Sequence, residues 1–178
     1  MIPDGITFRR ARPEEAPSIA RLINSAYRGE GSRAGWATEA DFLEGIRTND
    51  DEIGDLIRKA DSFFLLACEH DRVIGCVHLE RIDDERAYLG MFVVEPGLQA
   101  RGAGKRLLQE AETAVRSPWH ARWMRMWVLS VRVELIAFYE RRGYQATGAR
   151  EPWPEDATLS TPLVEGLEFV ILEKDLTS

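Results

Sequence analysis

The residues best suited to do chemistry lie in one short stretch, VVEPGLQARGAGKRLL, residues 93–108. An apolar run ends at Pro96, two glycines bracket a small residue at Gly102 and Gly104, and a Lys-Arg pair follows directly. A strand, a short loop and a helix N-terminus present unpaired backbone N–H groups, and glycines let an anion approach them without interference from a Cβ atom. The stretch therefore predicts a pyrophosphate-binding loop. The alternative is a glycine turn that only packs the helix on the strand.

Two other phosphate-binding motifs do not match this stretch. A Walker A loop requires Gly, four residues and then Gly-Lys-Ser/Thr, but Gln99 stands at the first Gly position and Arg106 at the last. A dinucleotide fingerprint requires a third Gly where Leu107 stands. A phosphate-loop nucleotidase is therefore disfavoured.

The residues around the glycine loop contain two further patterns. The residues VEP at 94–96 and QARGAG at 99–104 resemble motif A of the GCN5-related N-acetyltransferase (GNAT) superfamily, a strand ending in Val-x-Pro and then Arg/Gln-x-x-Gly-x-Gly/Ala. The later LIAFYERRGY resembles the second conserved block of that superfamily, with Tyr139 on a helix followed by Gly143 and Tyr144. The order of elements is similar over essentially the whole chain.

The resemblance implies acetyl-CoA as co-substrate and assigns its binding residues. Main-chain groups of Phe92, Val93 and Val94 would pair with the pantetheine arm and the acetyl group, at a bulge where two strands splay apart. The resemblance places the pyrophosphate on Gln99, Ala100, Arg101, Gly102, Ala103, Gly104 and Lys105. Many members have Asn seven residues before the tyrosine. This chain has Arg132 there, which could reach a CoA phosphate.

Tyr139 aligns with the general acid of the family. A phenol with a pKa of about 10 would protonate a thiolate of pKa about 8.5 only uphill, so a hydrogen bond to the sulfur is the alternative. Without the resemblance, Tyr139 would be interpreted as a core aromatic residue.

A general base is harder to identify in the sequence. His78 and Glu80 fall on the same face of a strand, and either could take a proton from the amine, although both could be ordinary structural side chains. Some family members have a base where Trp127 stands, so that base is absent. Proximity could also supply most of the rate without a dedicated base.

Acceptor recognition is expected from two segments. Residues 28–61 differ most from the family pattern, and residues 150–166 form a predicted loop rich in proline. The acidic residues of the first segment favour an ammonium-bearing acceptor, although they could equally be a solvated face; these residues are Glu30, Glu39, Asp41 and Glu44. Trp36 and Trp153 could line a pocket or pack beneath the loops.

The elements that must position these residues follow from hydrophobic periodicity. The pattern predicts strands at 6–9, 62–70, 71–80, 87–94, 121–130 and 167–174, of which 62–70 and 71–80 form a hairpin with a tight turn near Glu69 to Arg72. It predicts helices at 13–27, from Thr38 through Ile46, and from a cap at Asn49 or Asp50. Two more helices are predicted, one after the glycine loop that stops at Ser117 and Pro118, and one within 131–144 that Gly143 ends in the left-handed conformation, and residues 150–166 are predicted to be a loop. This order predicts one domain, residues 1–178, with an α/β fold: a mixed, mostly antiparallel central sheet flanked by helices, with a splayed strand pair for acyl-CoA.

Composition sets the class of protein. The chain has 178 residues and a formal net charge of −7, and its basic residues are scattered, which argues against a nucleic-acid partner. No stretch is long and apolar enough to predict a membrane span or a signal peptide, so a cytoplasmic location without membrane association is expected. Cys68 and Cys76 lack the spacing of a metal site, so no metal is expected. A homodimer is compatible with the sequence.

The sequence therefore predicts an N-acetyltransferase that moves an acetyl group from acetyl-CoA to an amine, on a small molecule or a peptide, by direct attack in a ternary complex. No cysteine is placed for a covalent route. The alternatives are a different acyl preference, or a non-catalytic acyl-CoA sensor or partner-binding module, which would have no need of Tyr139.

Overall fold

The structure, a computed structural model, describes residues 5–33, 38–96, 98 and 102–177. A short 3-10 turn at Pro13–Glu15 precedes the first helix. The helices and strands follow in this order: β1 (Ile6–Arg10), α1 (Ala16–Tyr27), α2 (Gly29–Ser32), β2 (Leu43–Gly45), α3 (Asp50–Arg58), β3 (Ser62–Glu69), β4 (Arg72–Arg81), β5 (Arg86–Val94), α4 (Ala103–Trp119), β6 (Trp123–Leu129), α5 (Val133–Glu140), β7 (Gln145–Pro152), β8 (Ser160–Pro162) and β9 (Glu168–Asp175).

The described residues form one large sheet and one small one. The large sheet has the strand order β1-β3-β4-β5-β6-β9-β7, and the small sheet pairs β2 with β8. All neighbours are antiparallel except β5 and β6, which are parallel. The predicted mixed, mostly antiparallel α/β fold is confirmed.

Strand β3, the second strand of the large sheet, is buried on both faces. Phe63, Leu65 and Ala67 belong to the cluster that packs against α4, whereas Phe64 and Leu66 belong to the cluster that packs against α1 and α3. This alternation is the period of two of a strand, and each buried side chain of this size stabilises the fold by about 1.5–3 kcal/mol. Helices therefore cover both faces of the sheet.

Strands β5 and β6 pair over only part of their length. Their register runs through Arg86–Trp123, Ala87–Met124 and Tyr88–Arg125, and the strands then diverge. On the other side of β5, the register with β4 shifts between Cys76 and His78, where Met91 adopts a φ of +46°. One extra residue on β5 makes a β-bulge, which bends the strand and increases its twist. The splayed strand pair predicted from the sequence is therefore present.

The helix predicted from Thr38 through Ile46 is wrong. The N–H groups of Phe42 and Leu43 bond the carbonyl of Glu39 in a single turn, and the chain then enters β2. Strand β2 pairs with β8, whose residues lie far along the sequence. Gly45, at φ +102°, also leaves helical geometry.

Two further boundaries differ from the prediction. The segment 150–166 is not entirely a loop, because its first residues complete β7 and Ser160–Pro162 form β8. Helix α4 continues through Pro118 to Trp119 instead of stopping at Ser117 and Pro118, and His120 ends it in the left-handed conformation.

Several local predictions are confirmed. Asn49 caps α3, because its side chain accepts a hydrogen bond from the Glu52 N–H at 2.8 Å. Strands β3 and β4 form the expected hairpin. Gly143 has a φ of +92° just after α5. Of the described helices, none has the length and apolarity that crossing a membrane requires.

We expect Gly45→Ala to destabilise the fold by about 3 kcal/mol, because the new Cβ would overlap the carbonyl oxygen of Leu159 and because φ at this position is positive. Gly148→Ala is the matched control. Its φ is +86° and no atom lies within 4 Å of the new Cβ, so only the backbone strain of about 1 kcal/mol remains. Urea unfolding measures both. Equal losses of stability in the two variants would show that the overlap of the new Cβ with the Leu159 carbonyl oxygen has no effect.

Candidate functional site

A cleft of about 410 Å³ opens where β5 and β6 diverge. Its walls come from the end of α1, from β5, β6 and α5, and from the segment that leads into β8. The residues that line it include Tyr27, Arg28, Glu39, Arg47, Glu52, Tyr88, Met91, Phe92, Met126, Trp127, Leu129, Arg132, Leu135, Tyr139, Trp153, Asp156, Ser160 and Phe169.

Tyr139 reaches this cleft from α5. Its side chain is only 3% exposed, and its ring lies 6.1 Å from that of Phe92 and 5.7 Å from that of Tyr144. Tyr144 is fixed in turn, because its hydroxyl donates to Glu112 at 3.0 Å. Within the described part of the chain the Tyr139 hydroxyl has no hydrogen-bond partner, and burial raises its pKa well above the ordinary value. The phenol is therefore protonated, held in place and able to donate.

The bulged part of β5 forms a second wall. The side chains of Phe92, Val93 and Val94 are buried, and β5 has no strand neighbour on its β6 side beyond Tyr88. The Tyr27 hydroxyl donates to the Phe92 carbonyl at 2.9 Å, which fixes the bulge against α1. The divergence leaves a strand edge along the cleft to which an extended ligand could be added.

The glycine loop leads directly into α4. Gly102 has a φ of +79° and stands before the first helical residue, Ala103, with no side-chain cap on the first turn. A Cβ at Gly104 would lie 3.6 Å from the Phe92 ring, so the helix N-terminus lies against β5. Lys105 is exposed on the first turn. Gln99, Ala100 and Arg101 lie outside the described residues.

Arg132 has a different environment from the one expected. It is buried, and its Nη1 lies 3.3 Å from Glu39 Oε1, while Arg28 Nη1 lies 2.5 Å from Glu39 Oε2. Arg28 also donates to Ser160 Oγ at 3.1 Å. Arg132 is thus engaged by a carboxylate inside the cleft, and its assignment to a CoA phosphate is not supported by this position.

His78 and Glu80 do not line the cleft. Ser62 Oγ donates to the Leu56 carbonyl at 2.8 Å, so its 2.8 Å contact with His78 Nε2 requires the imidazole to donate. Burial lowers the pKa of His78 to about 4. Glu80 pairs with Lys59 at 2.5 Å. Both side chains have structural partners, and the Tyr88 ring lies edge-on to the His78 ring at 5.7 Å.

The acidic residues of the first acceptor segment are divided. Glu39 lines the cleft, whereas Asp41 is exposed and pairs with Arg33, and Glu44 is exposed. The Glu30 side chain and Trp36 lie outside the described residues. Trp153 lines the cleft, stacked on Phe169 with ring centroids 5.6 Å apart. Both predicted acceptor segments therefore contribute lining residues.

Sequence reasoning missed several residues of the site: Tyr27, Arg47, Glu52 and Tyr88. Tyr27 was indistinguishable from the other apolar residues of the α1 stripe. Glu52 could have been noticed, because it stands three residues after the Asn49 cap, on the first turn of α3. No pattern distinguishes Arg47. Among the described residues, no three His, Cys, Asp or Glu side chains are grouped as a metal site would require.

The fold, the split between two strands and the glycine-led helix together define an acyltransferase-like architecture. The model of the acetyltransferase (GNAT) family matches residues 18–144, and the chain therefore belongs to this family. A comparison with curated protein sequences finds no match.

Several solved structures have a similar fold. Ard1 from Thermoplasma volcanium has a TM-score of 0.72 at 18% identity, covering 96% of this chain and 97% of that one. An N-acetyltransferase from Staphylococcus aureus has a TM-score of 0.71 at 14% identity, covering 97% and 99%. An acetyltransferase from Streptococcus agalactiae has a TM-score of 0.65 at 16% identity, covering 97% and 99%. At these identities the similarity shows the fold alone.

The buried His78 generates a prediction about acid stability. Its pKa falls from 6.5 in the unfolded chain to about 4 in the fold, so below pH 6.5 the unfolded chain binds the proton more readily and stability falls. The loss should reach roughly 3 kcal/mol at pH 4. Urea unfolding between pH 7 and pH 4 should give a shallower pH slope for His78→Gln than for the native chain. The control is His70→Asn, in an exposed turn, which should keep the native slope. An unchanged slope in His78→Gln would show that His78 does not cause the loss of stability at acid pH.

Proposed function

We propose that the chain transfers an acetyl group from acetyl-CoA to an amine by direct attack in a ternary complex. Membership of the acetyltransferase family supports this, and the observation that supports it most is the cleft between β5 and β6 with the Tyr139 hydroxyl on its wall. Acetyl-CoA supplies an acetyl group already activated as a thioester.

The described residues fit the binding of acetyl-CoA. Gly102 and the uncapped first turn of α4 offer backbone N–H groups to the pyrophosphate, and the N-terminal end of the helix dipole favours negative charge. The absent Cβ of Gly104 leaves room between α4 and the Phe92 ring. The pantetheine arm would then lie along β5 from Val94 towards Met91, as an added strand at the unpaired edge.

The acceptor amine forms a bond to the acetyl carbon while the bond from that carbon to the sulfur breaks, and the proton that the nitrogen loses balances the one that the sulfur gains to leave as a free thiol. The departing sulfur requires a hydrogen-bond donor. Tyr139 is the donor proposed for this position. Its pKa is raised by burial, so complete proton transfer to a thiolate is favourable only where the same burial raises the pKa of the thiol. A main-chain N–H of the β5 bulge would stabilise the negative charge that develops on the acetyl oxygen.

Direct attack is supported by the positions of the cysteines. Cys68 and Cys76 are buried in the cluster beneath α1, neither lines the cleft, and burial raises the pKa of the Cys76 thiol. A thiol in this environment is a poor nucleophile. His78 and Glu80 are not used as bases, because both have structural partners outside the cleft. Positioning of a neutral amine against the thioester is expected to supply most of the rate.

The test is turnover of acetyl-CoA with a panel of amines, measured as release of free thiol, together with calorimetric binding of acetyl-CoA. Thiol release that depends on the amine, with an N-acetylated product identified by mass spectrometry, supports the proposal. Tight binding of acetyl-CoA without thiol release would identify an acyl-CoA sensor instead. Failure to bind acetyl-CoA would overturn the assignment of the glycine loop.

Gly104→Glu should weaken the binding of acetyl-CoA by more than Gly104→Gln. The two side chains have nearly the same size, so their steric effect is shared and the difference reports the repulsion between a carboxylate and the pyrophosphate, about tenfold or more in Kd. Calorimetry measures both affinities. Equal affinities for the two variants would place the diphosphate away from the start of α4.

Tyr139→Phe should lower kcat by about 10²-fold with little change in acetyl-CoA affinity, because only the hydroxyl is lost and the buried ring is kept. Tyr144→Phe is the matched control, since Tyr144 lies behind Tyr139 and its hydroxyl bonds Glu112 rather than the cleft. Steady-state kinetics separates kcat from KM. A normal kcat in Tyr139→Phe would remove the donor role.

A further inference from the structure

Building on the proposed acetyl transfer, we infer that the acceptor is an amine that also bears a carboxylate or similar oxyanion, and that Arg47 binds this group. The inference names the substrate class of the proposed site. It depends on one cationic side chain of the cleft, for which the described residues provide no hydrogen-bond or ion-pair partner.

Arg47 lines the cleft and is partly buried. Within the described part of the chain its guanidinium has neither a hydrogen bond nor an ion pair. Burial alone would lower its pKa, but the nearby oxygens of Tyr88, Glu39, Tyr27 and Glu52 outweigh that effect and raise it. The group is therefore charged, and its five N–H donors are available to a ligand.

The other cleft arginines differ from Arg47 in this respect. Arg28 and Arg132 both contact Glu39, and Arg28 also bonds Ser160. Buried or half-buried cations are normally paired, because an unpaired one loses hydration without compensation. Arg28 and Arg132 have the contacts of structural residues. Arg47 has the position of a cleft residue without those contacts, which indicates a ligand-binding role.

The backbone around Arg47 is held firmly although its side chain is not. Asn24 Oδ1 accepts from the N–H groups of Arg47 at 2.7 Å and Thr48 at 3.2 Å, and Asn24 Nδ2 donates to the Thr48 carbonyl at 2.9 Å. On the other side, Ser160 Oγ donates to the Ile46 carbonyl at 2.7 Å. The base of the side chain is thus fixed between α1 and β8, which limits where the guanidinium can reach.

The described carboxylates that line the cleft do not bond the Arg47 guanidinium. Three arginines, Arg28, Arg47 and Arg132, and three carboxylates, Glu39, Glu52 and the exposed Asp156, line the cleft. Glu39 is shared by two arginines, and Glu52 accepts from Thr48 Oγ1 at 2.5 Å. The Arg47 guanidinium is therefore left to a ligand, and a guanidinium suits a planar carboxylate, which it can bind through two parallel hydrogen bonds.

The remaining walls indicate what lies between the amine and the anion. Trp127 packs on Tyr88 with ring centroids 5.5 Å apart, and Trp153 stacks on Phe169. These rings offer a broad apolar surface to a carbon skeleton. An amino acid or the end of a short peptide with an apolar side chain has the required combination of amine, apolar body and carboxylate.

The experiment compares matched acceptors with and without the negative charge. The panel consists of the apolar and aromatic L-amino acids, their C-terminal amides, and dipeptides with free or amidated C-termini, so that free amino acids and peptides are distinguished. The variants are Arg47→Ala, Arg47→Lys and, as control, Arg21→Ala, an exposed residue of α1 outside the cleft. The readouts are kcat/KM for each acceptor, KM for acetyl-CoA and the midpoint of thermal unfolding.

The native chain should prefer acids over matched amides by roughly 10- to 100-fold in kcat/KM. Arg47→Ala should lose that preference through a higher acceptor KM, Arg47→Lys should regain part of it, and KM for acetyl-CoA should not change. Arg21→Ala should match the native chain.

Equal kcat/KM values for acids and amides with the native chain overturn the inference. So does an Arg47→Ala variant that loses kcat/KM equally for acids and amides, or one whose KM for acetyl-CoA rises instead. In these cases amines are still acetylated and the proposed function stands. Thiol release with other amines but with no acceptor of this panel also overturns the inference and leaves the proposed function standing. If acetyl-CoA does not bind, or if no amine releases thiol, the proposed function fails and the role of Arg47 fails with it.

Discussion

The geometry of the site depends on the separation of β5 from β6 after three residue pairs. Breaking a parallel ladder inside a sheet leaves backbone groups without strand partners, and the chain compensates locally. The bulge at Met91 turns β5, the Tyr27 hydroxyl takes the Phe92 carbonyl, and α5 places Leu135 and Tyr139 on the cleft wall. The start of α4 and the middle of α5 can approach one ligand only because the strands part between them.

The proposed acceptor side of the cleft depends on a different interaction, the buried carboxylate of Glu39. It joins Arg28, next to α1, to Arg132, the residue before α5, and Arg28 extends the network to Ser160 of β8. Buried ion pairs stabilise little on balance, but removing one partner is costly because it leaves an uncompensated charge. The network therefore fixes the relative positions of four segments more than it adds to stability. The proposed cofactor side relies on backbone geometry, whereas the proposed acceptor side relies on charge.

The sequence predicted the parts of this arrangement that are encoded locally. A continuous apolar run located β3, and the glycines located the start of α4. The β2–β8 pair was missed because its two strands are short and distant in sequence, so neither has a pattern of its own. The strand period of two predicted that His78 and Glu80 share one face of β4. It could not predict that neither side chain lines the cleft. Arg47 was missed because an isolated arginine in a polar segment is indistinguishable from a solvated one until the cavity is known.

The long sequence separation of these contacts also bears on how the chain acquires its shape during synthesis. Arg28 and Ser160 are 132 positions apart, and β9 must insert between β6 and β7. Contacts of this range form slowly, because a large loop must close first. A ribosome-bound chain can assemble the β3–β4 hairpin and its helices early, but the cleft is not complete until residues 160–175 have emerged. The walls of the cleft are therefore assembled later than the β3–β4 part of the core.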